Sequence, residues 1–286
     1  MDPAPTLAVT GATGRLGGRV ARRIAASGTP QTLVVRDPAR APELPGARAV
    51  PGSFGDREAV REALRGVDRV LMVSASESAD RVREHRGFVD AAVEAGVAHL
   101  VYVSFQGASP EAAFTLARDH WATEQHIRAS GLGFTFLRDN LYADFMPGLV
   151  GEDGIIRGPA GRGRAAVVTQ DDIAEAAVAV LSDAPRHLGA TYDLTGPEAL
   201  GLDEVAALLS DHLGREIAYR PETVEEAYAS RRSFGAPDWQ LDAWVSTYTA
   251  IAAGELAAVS DAVPRLTGHP ATSLDQLLRL DGAELA

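Results

Sequence analysis

The chain has 286 residues, 46% of them apolar, enough for one large α/β domain with a small additional lobe and a sizeable core. Its 27 Lys+Arg against 39 Asp+Glu give a formal net charge of −12, scattered along the chain. That leaves no basic face for a nucleic acid, although a local site could still hold an anionic ligand. The absence of cysteine excludes disulfides, thiolate catalysis and Cys-ligated metal. No apolar run reaches the ~18 residues of a membrane span. Met1–Thr6 is too short and too poor in basic residues for a leader, so a cytoplasmic protein is expected.

Strand and helix signals alternate through the first half. Leu7–Thr10 is a short apolar run, followed by glycines and an amphipathic stretch with Val20 and Ile24 on one face. Thr32–Val35 is the next predicted strand, and a helical stretch at Ala59–Leu64 leads into the strand Val70–Val73. Helical Phe88–Val93 precedes the strand Leu100–Val103, and a helix over Leu116–Ala129 precedes the strand Phe134–Leu137. Continuously apolar strands separated by helices read as a parallel sheet covered on both faces, a Rossmann-like doubly wound α/β fold. In the second half, Gly151–Arg164 holds five glycines and reads as a loop or hairpin. Asp171-Asp172 is expected to cap a helix running to Leu181, Thr191–Leu194 to form a strand, and Leu202–Leu213 an amphipathic helix. The stretch Pro221–Leu256, with Trp239 and Trp244, reads as largely helical. The expected organisation is a dinucleotide-binding core over 1–150. Residues 151–286 then complete the core and form a smaller C-terminal substrate lobe over the strand ends.

The strongest motif is V-T-G-A-T-G-R-L-G-G, Val9–Gly18, in the first strand–turn–helix unit. Gly11 permits the sharp turn, Gly14 lets the backbone approach a pyrophosphate, and Gly17 lets the helix pack against the strand. Thr13, Arg15 and Leu16 complete the expected contacts, and the helix N-terminus offers N–H groups to phosphate. The end of the second strand selects the cofactor. Arg36 there would meet a 2′-phosphate, flanked by Arg15, which predicts NADP(H) over NAD(H). Asp37 is either an NAD-type ribose ligand or, with Pro38 beside it, a turn-capping residue. His85-Arg86 reads either as a helix face that approaches the cleft or, by default, as a solvated one; no Gly-x-Ser-x-Gly elbow is present, and no metal site is expected.

These residues, together with V-R-D-P-A-R from Val35, G-V-D-R-V-L-M-V-S from Gly66, H-W-A-T-E-Q-H-I-R-A-S-G-L from His120, F-L-R-D-N-L-Y from Phe136 and R-L-T-G-H-P-A-T-S-L from Arg265, carry a family resemblance. The chain resembles atypical short-chain dehydrogenases of the NmrA-like group, and within it the type-2 NAD(P)H:quinone oxidoreductases. The resemblance implies a Rossmann fold, an NAD(P)H cofactor and hydride transfer to a small acceptor. It places Ser74, Ala75 and Ser76 along the cofactor at the fourth strand's end, and Ser104, Phe105 and Gln106 at the fifth's. Ser53 and Phe54 stand where the group often carries an acidic residue near the adenine.

Short-chain dehydrogenases use Tyr-x-x-x-Lys on one helix; here Leu116 occupies the tyrosine position and His120 the lysine position. A leucine donates no proton, which argues against carbonyl reduction or sugar epimerisation. His120 is read as a cofactor-ribose contact, with proton donation as a further role. The bland alternative is an exposed histidine paired with Glu124 one turn away. A quinone is already a strong hydride acceptor and fits the missing acid. Trp121, Tyr142, Phe145 and Phe105 are candidates to sandwich its ring, with Gln106, Asp139 and Asn140 beside them, or else they are ordinary core. Three functions stay open: a quinone reductase, a non-catalytic NADP(H) redox sensor of the NmrA type, and a tailoring reductase for a polycyclic aromatic natural product. The expected partners are a small molecule, a quinone, and at most a second copy of the chain as a homodimer.

Overall fold

The computed structural model describes residues 6–284, with side chains to 280, so the reading of Met1–Thr6 falls almost wholly outside the described residues. The chain divides into two compact units that alternate along the sequence. The first comprises 1–104, 119–138 and 173–192, and the second 105–118, 139–172 and 193–286.

The expected alternation holds. β1 (Leu7–Thr10), α1 (Arg15–Ala26), β2 (Gln31–Val35), β3 (Ala47–Pro51), α2 (Arg57–Ala63), β4 (Arg69–Met72) and α3 (Arg81–Glu94) follow one another. β5 (His99–Phe105), α4 (Thr115–Ala129) and β6 (Gly133–Asp139) continue the pattern. Beyond them come β7 (Ile155–Gly158), β8 (Arg164–Ala165), α5 (Gln170–Ser182) and β9 (Thr191–Leu194). The chain ends with β10 (Leu200–Gly201), α6 (Leu202–Leu213), β11 (Ala218–Pro221), α7 (Val224–Arg231), α8 (Asp238–Ala252), α9 (Ala262–Thr267) and α10 (Leu274–Glu284).

Seven strands form one sheet in the order β3-β2-β1-β4-β5-β6-β9, the Rossmann arrangement. β1 pairs in parallel with β2 on one side and β4 on the other, so the strand order reverses beside β1. In such sheets the ligand crevice opens at that reversal, outside the carboxyl ends of the strands. Helices cover both faces because the strands are apolar on both. On one face Val60, Leu64, Phe88, Val89, Ala92 and Ile127 pack with Val34, Met72, Tyr102 and Phe136. α1 buries Leu16, Val20, Ala21 and Ile24.

The second unit has its own core, built from Phe105, Phe114, Met146, Ile156, Val167, Leu202, Leu209 and Ile251 among others. Here the structure departs from the sequence reading. The glycine-rich stretch is no hairpin: Ile155–Gly158 pairs in parallel with Ala218–Pro221, and Arg164–Ala165 antiparallel with Leu200–Gly201. Asp171-Asp172 does not cap α5. Thr169 does, its Oγ1 accepting the Asp172 N–H at 3.1 Å, while the Asp172 carboxylate accepts the N–H and hydroxyl of Thr272 at 2.7 and 3.0 Å. The aspartates sit in the first turn, where negative charge meets the positive helix end. Pro221–Leu256 starts as a strand end and then forms α7 and α8. Among the described residues no helix is long and apolar enough to cross a membrane.

Candidate functional site

The first unit carries the turn between β1 and α1. Gly11 has φ +66°, a left-handed conformation that glycine adopts without strain. A Cβ on Gly17 would stand 2.4 Å from the Gly11 carbonyl oxygen, so only glycine lets α1 begin this close to the turn. Gly14 is the N-cap and provides no side-chain cap, and the first turn contains no acidic residue. Thr13, Gly14 and Arg15 are exposed, whereas Leu16 is buried in the helix–sheet contact. A helix start without a side-chain cap, its positive end and an exposed arginine fit a pyrophosphate. Thr10 braces the turn, its Oγ1 accepting the Val73 N–H at 2.9 Å.

At the end of β2, Arg36 is exposed. The Asp37 carboxylate accepts the Ala39 N–H at 3.0 Å, capping the 3-10 turn Pro38–Arg40, so the capping reading of Asp37 holds. At the end of β3, Ser53 is half-buried, and the Phe54 ring lies 4.6 Å from Phe88 and 5.9 Å from His85.

The loop after β4 is held by two polar residues of α3. His85 is fully buried, which corrects the solvated reading for that residue, while Arg86 beside it is exposed. Arg81, His85, Phe88 and Ala92 follow helical spacing, so one stripe of α3 turns inward and takes two polar residues with it. The Ala75 N–H donates to His85 Nε2 at 2.9 Å, and Arg81 Nε donates to the Ala75 carbonyl at 3.1 Å. Since a peptide N–H only donates, the His85 proton sits on Nδ1 and bonds Thr123 Oγ1 at 2.9 Å. Arg81 Nη2 donates to His120 Nε2 at 3.0 Å, so the His120 proton is on Nδ1, which donates to the Tyr102 hydroxyl at 2.9 Å. Burial first, and the Arg81 charge second, push His85 down to about 3 and His120 well below its ordinary value, so both rings are neutral.

His120 is thus buried within this network, and Glu124 is engaged elsewhere. The fully buried Glu124 carboxylate accepts Arg138 at 2.8 and 2.7 Å, Arg128 at 3.1 Å, and the Ser104 hydroxyl at 2.7 Å. Ser104 therefore turns its hydroxyl into the core, while Ser74 and Ala75 are half-buried and Ser76 is exposed. Leu116, in the place of a catalytic tyrosine, packs against the apolar core of the second unit.

The second unit contains a cavity of about 500 Å³, lined by Tyr142, Phe145, Phe234, Trp244 and Tyr248 with the aliphatic Leu141, Met146, Leu149, Leu200 and Leu202. Tyr142 and Phe145 meet edge to face, their centroids 5.3 Å apart. The Tyr142 hydroxyl donates to Asp139 at 2.7 Å, and Arg231 lies 5.0 Å over the Tyr248 ring. No carboxylic acid or histidine is among the lining residues. Of the residues expected at the acceptor, Tyr142 and Phe145 line this cavity. Phe105 is core, packed edge to face on Phe114. Gln106 and Asn140 bond each other and fasten the backbone carbonyls of Ala258 and Leu256. Trp121 sits half-buried on α4 with the Arg128 guanidinium 5.9 Å from its ring. The sequence reading missed Phe234, Trp244 and Tyr248. The signal available was Trp244 and Tyr248 four residues apart, one turn of a helix. Among the described residues no group of His, Asp or Glu is arranged to hold a metal.

Residues 11–184 match the NAD(P)H-binding family. The chain is 34% identical to quinone oxidoreductase 2 of Escherichia coli K12, covering 94% of this chain and 96% of that protein. It is also 34% identical to the NAD(P)H azoreductase of Xenophilus azovorans, covering 96% and 97%. The crystal structure of the NADPH-dependent Escherichia coli quinone oxidoreductase complexed with NADPH superimposes with a TM-score of 0.87 at 33% identity, covering 96% of this chain and 99% of that one. The chain belongs to the NAD(P)H-binding family, among its NmrA-like quinone oxidoreductase relatives, and is an NAD(P)H-dependent oxidoreductase.

Proposed function

We propose that the protein uses NADPH to reduce a quinone or a similarly conjugated ring system held in the cavity of the second unit. The carrying observation is the chemistry of that cavity: mostly aromatic and aliphatic walls, with Arg231 and Thr247 among them and no carboxylic acid or histidine. Its volume of about 500 Å³ lies within the ~300–1,000 Å³ usual for small-molecule pockets. Such walls orient a flat ring, and the hydroxyl of Tyr142 is turned to Asp139, so an acceptor that is electrophilic by itself fits them best. When bound, reduced nicotinamide supplies the hydride; one proton from water completes the hydroquinone, and NADP+ is released.

The chain's own residues supply binding and orientation. The α1 N-terminus and the Gly11–Gly17 turn take the pyrophosphate, and Arg36 with Arg15 takes the 2′-phosphate. Because cofactors of this kind run across the strand ends from β2 over β1, the nicotinamide half falls to the β4 and β5 ends, beside Ser74–Ser76. Leu116 and the core-bound His120 leave no acid in the usual tyrosine and lysine positions. His120 belongs to the packing that holds this loop and does not act as a proton donor. Tyr142, Phe145, Trp244 and Tyr248 hold the ring, with Asp139 fixing Tyr142.

The test follows NADPH absorbance with benzo-, naphtho- and anthraquinones beside simple ketones. Turnover with quinones and none with ketones is expected. Tight binding of both oxidised and reduced cofactor without turnover on any acceptor would overturn the proposal in favour of a redox sensor.

A further inference from the structure

We propose that Arg81 and His85 are positioning residues that clamp Ala75 from both sides and so set the loop that receives the nicotinamide half of the cofactor; this rests on the cofactor reading above. The two side chains stand one turn apart on α3 and grip one loop residue. His85 Nε2 accepts its N–H at 2.9 Å, and Arg81 Nε donates to its carbonyl at 3.1 Å. Both are buried, at 0% and 4% exposure, where an unmatched polar group is costly, so each contact fixes the loop firmly.

Each clamp residue is itself held in one orientation. His85 Nδ1 donates to Thr123 Oγ1, which donates in turn to the Asp119 carbonyl at 2.8 Å. Arg81 reaches His120 Nε2 at 3.0 Å and faces Asp119 at 3.6 Å. The His85 ring stands edge-on to Phe54 and Tyr102, each 5.9 Å away. Strand β5 and helices α3 and α4 therefore converge on one loop residue, at the edge of the crevice beside the strand reversal. On the adenosine side of the crevice the cluster meets the Phe54 ring at the β3 end, a contact that an aromatic replacement of His85 keeps, while Arg36 at the β2 end is not among its partners. A defect in the clamp should accordingly be felt by one half of the cofactor.

His85→Phe is the appropriate perturbation, because it keeps an aromatic ring for Phe54 and Tyr102 and removes only the acceptor and donor nitrogens. His85→Gln restores an acceptor near the Nε2 position. Calorimetry measures two probes on wild type and both variants: NADPH, and adenosine 2′,5′-bisphosphate, which carries only the adenosine half. His85→Phe should weaken NADPH about fivefold to tenfold, the range of one hydrogen bond. It should leave the bisphosphate within about twofold, and His85→Gln should recover most of the loss. Equal weakening of both probes would show a general structural role and overturn the proposal, as would unchanged NADPH binding or a Gln variant no better than Phe. Failure of both probes on the wild type would remove the cofactor reading itself, and the clamp with it. Should His85→Phe not fold, Arg81→Met takes the same two probes with His85 in place. The wild-type Ala75 amide gives a variant-free check. A trans-hydrogen-bond coupling to His85 Nε2 and slowed exchange are expected, and free exchange would refute the clamp.

Discussion

Gly17→Ala adds one methyl group where the structure leaves no room for it. The new Cβ would stand 2.4 Å from the Gly11 oxygen, 2.5 Å from the Gly11 carbonyl carbon and 2.6 Å from the Thr10 oxygen. Ordinary carbon contacts lie at about 3.5–4.0 Å, so α1 and the turn must separate by roughly 1 Å. All three obstructing atoms are backbone, and no rotamer change relieves the clash. Overpacking of this kind costs about 1–3 kcal/mol, or a melting temperature lower by about 2–12 °C at roughly 2–4 °C per kcal/mol. The effect on the ligand should be larger. The turn's N–H groups must meet a pyrophosphate within hydrogen-bonding tolerance, and losing two hydrogen bonds to a charged group, at about 1.5 kcal/mol each, weakens binding about a hundredfold. Gly28→Ala is the control: φ there is +73° with nothing within 4 Å of a built Cβ. It should cost about 1 kcal/mol of stability through backbone strain alone, with NADPH affinity intact. Titration calorimetry with NADPH and scanning calorimetry on both variants decide the matter. Wild-type NADPH affinity in Gly17→Ala would refute the assignment of this turn to the cofactor.

Other expected outcomes are as definite. Arg36→Ala should weaken NADPH about tenfold and leave NADH unchanged, the low end for a charged hydrogen bond because Arg36 is exposed and screened by salt; equal losses for both cofactors would remove the 2′-phosphate contact. Trp244→Ala should raise the KM for a naphthoquinone roughly fivefold to thirtyfold, the equivalent of about 1–2 kcal/mol of lost aromatic contact, with the NADPH KM within about twofold; an unchanged quinone KM would place the acceptor elsewhere. Stability should fall on acidification through the range in which histidine ordinarily titrates. His85 is held down to about 3, so between about pH 6.5 and 3 the unfolded chain binds a proton that the native one refuses. Urea unfolding between about pH 7 and 5 should therefore show a His85→Gln slope shallower than wild type by about 1 kcal/mol per pH unit; parallel slopes would contradict the neutral, buried His85.

What sequence reading reaches, and what it does not, divides along physical lines. The runs Leu7–Thr10, Val70–Val73 and Leu100–Val103 are apolar on both sides of the strand, which only a sheet covered on both faces tolerates. The glycines from Gly11 to Gly17 have spacing that few other local structures require. The capping role of Asp37 is local too: Pro38 beside it suggests a turn, and the bond from the Ala39 N–H settles it. Pairing between distant segments is not written in either partner: Ile155–Gly158 meets Ala218–Pro221, and Asp172 meets Thr272. Burial of polar residues is the other blind spot. Arg81 and His85 share a helical stripe with Phe88 and Ala92, yet their charge and polarity argue for solvent until Ala75, Thr123 and His120 are seen as their partners. Tyr142 and Phe145 follow β6 closely, so their place in the lining of the second unit's cavity was legible. Trp244, Tyr248 and Phe234 reach the same cavity from far along the chain.

The most direct test of the account is a single turnover. NADPH-loaded protein is mixed with menadione, with the reactive hydrogen of the nicotinamide as protium or deuterium. The account predicts one hydroquinone formed per NADPH consumed and a slower reaction with deuterium. NADPH loss no faster than in a protein-free control, with the cofactor demonstrably bound, would contradict it.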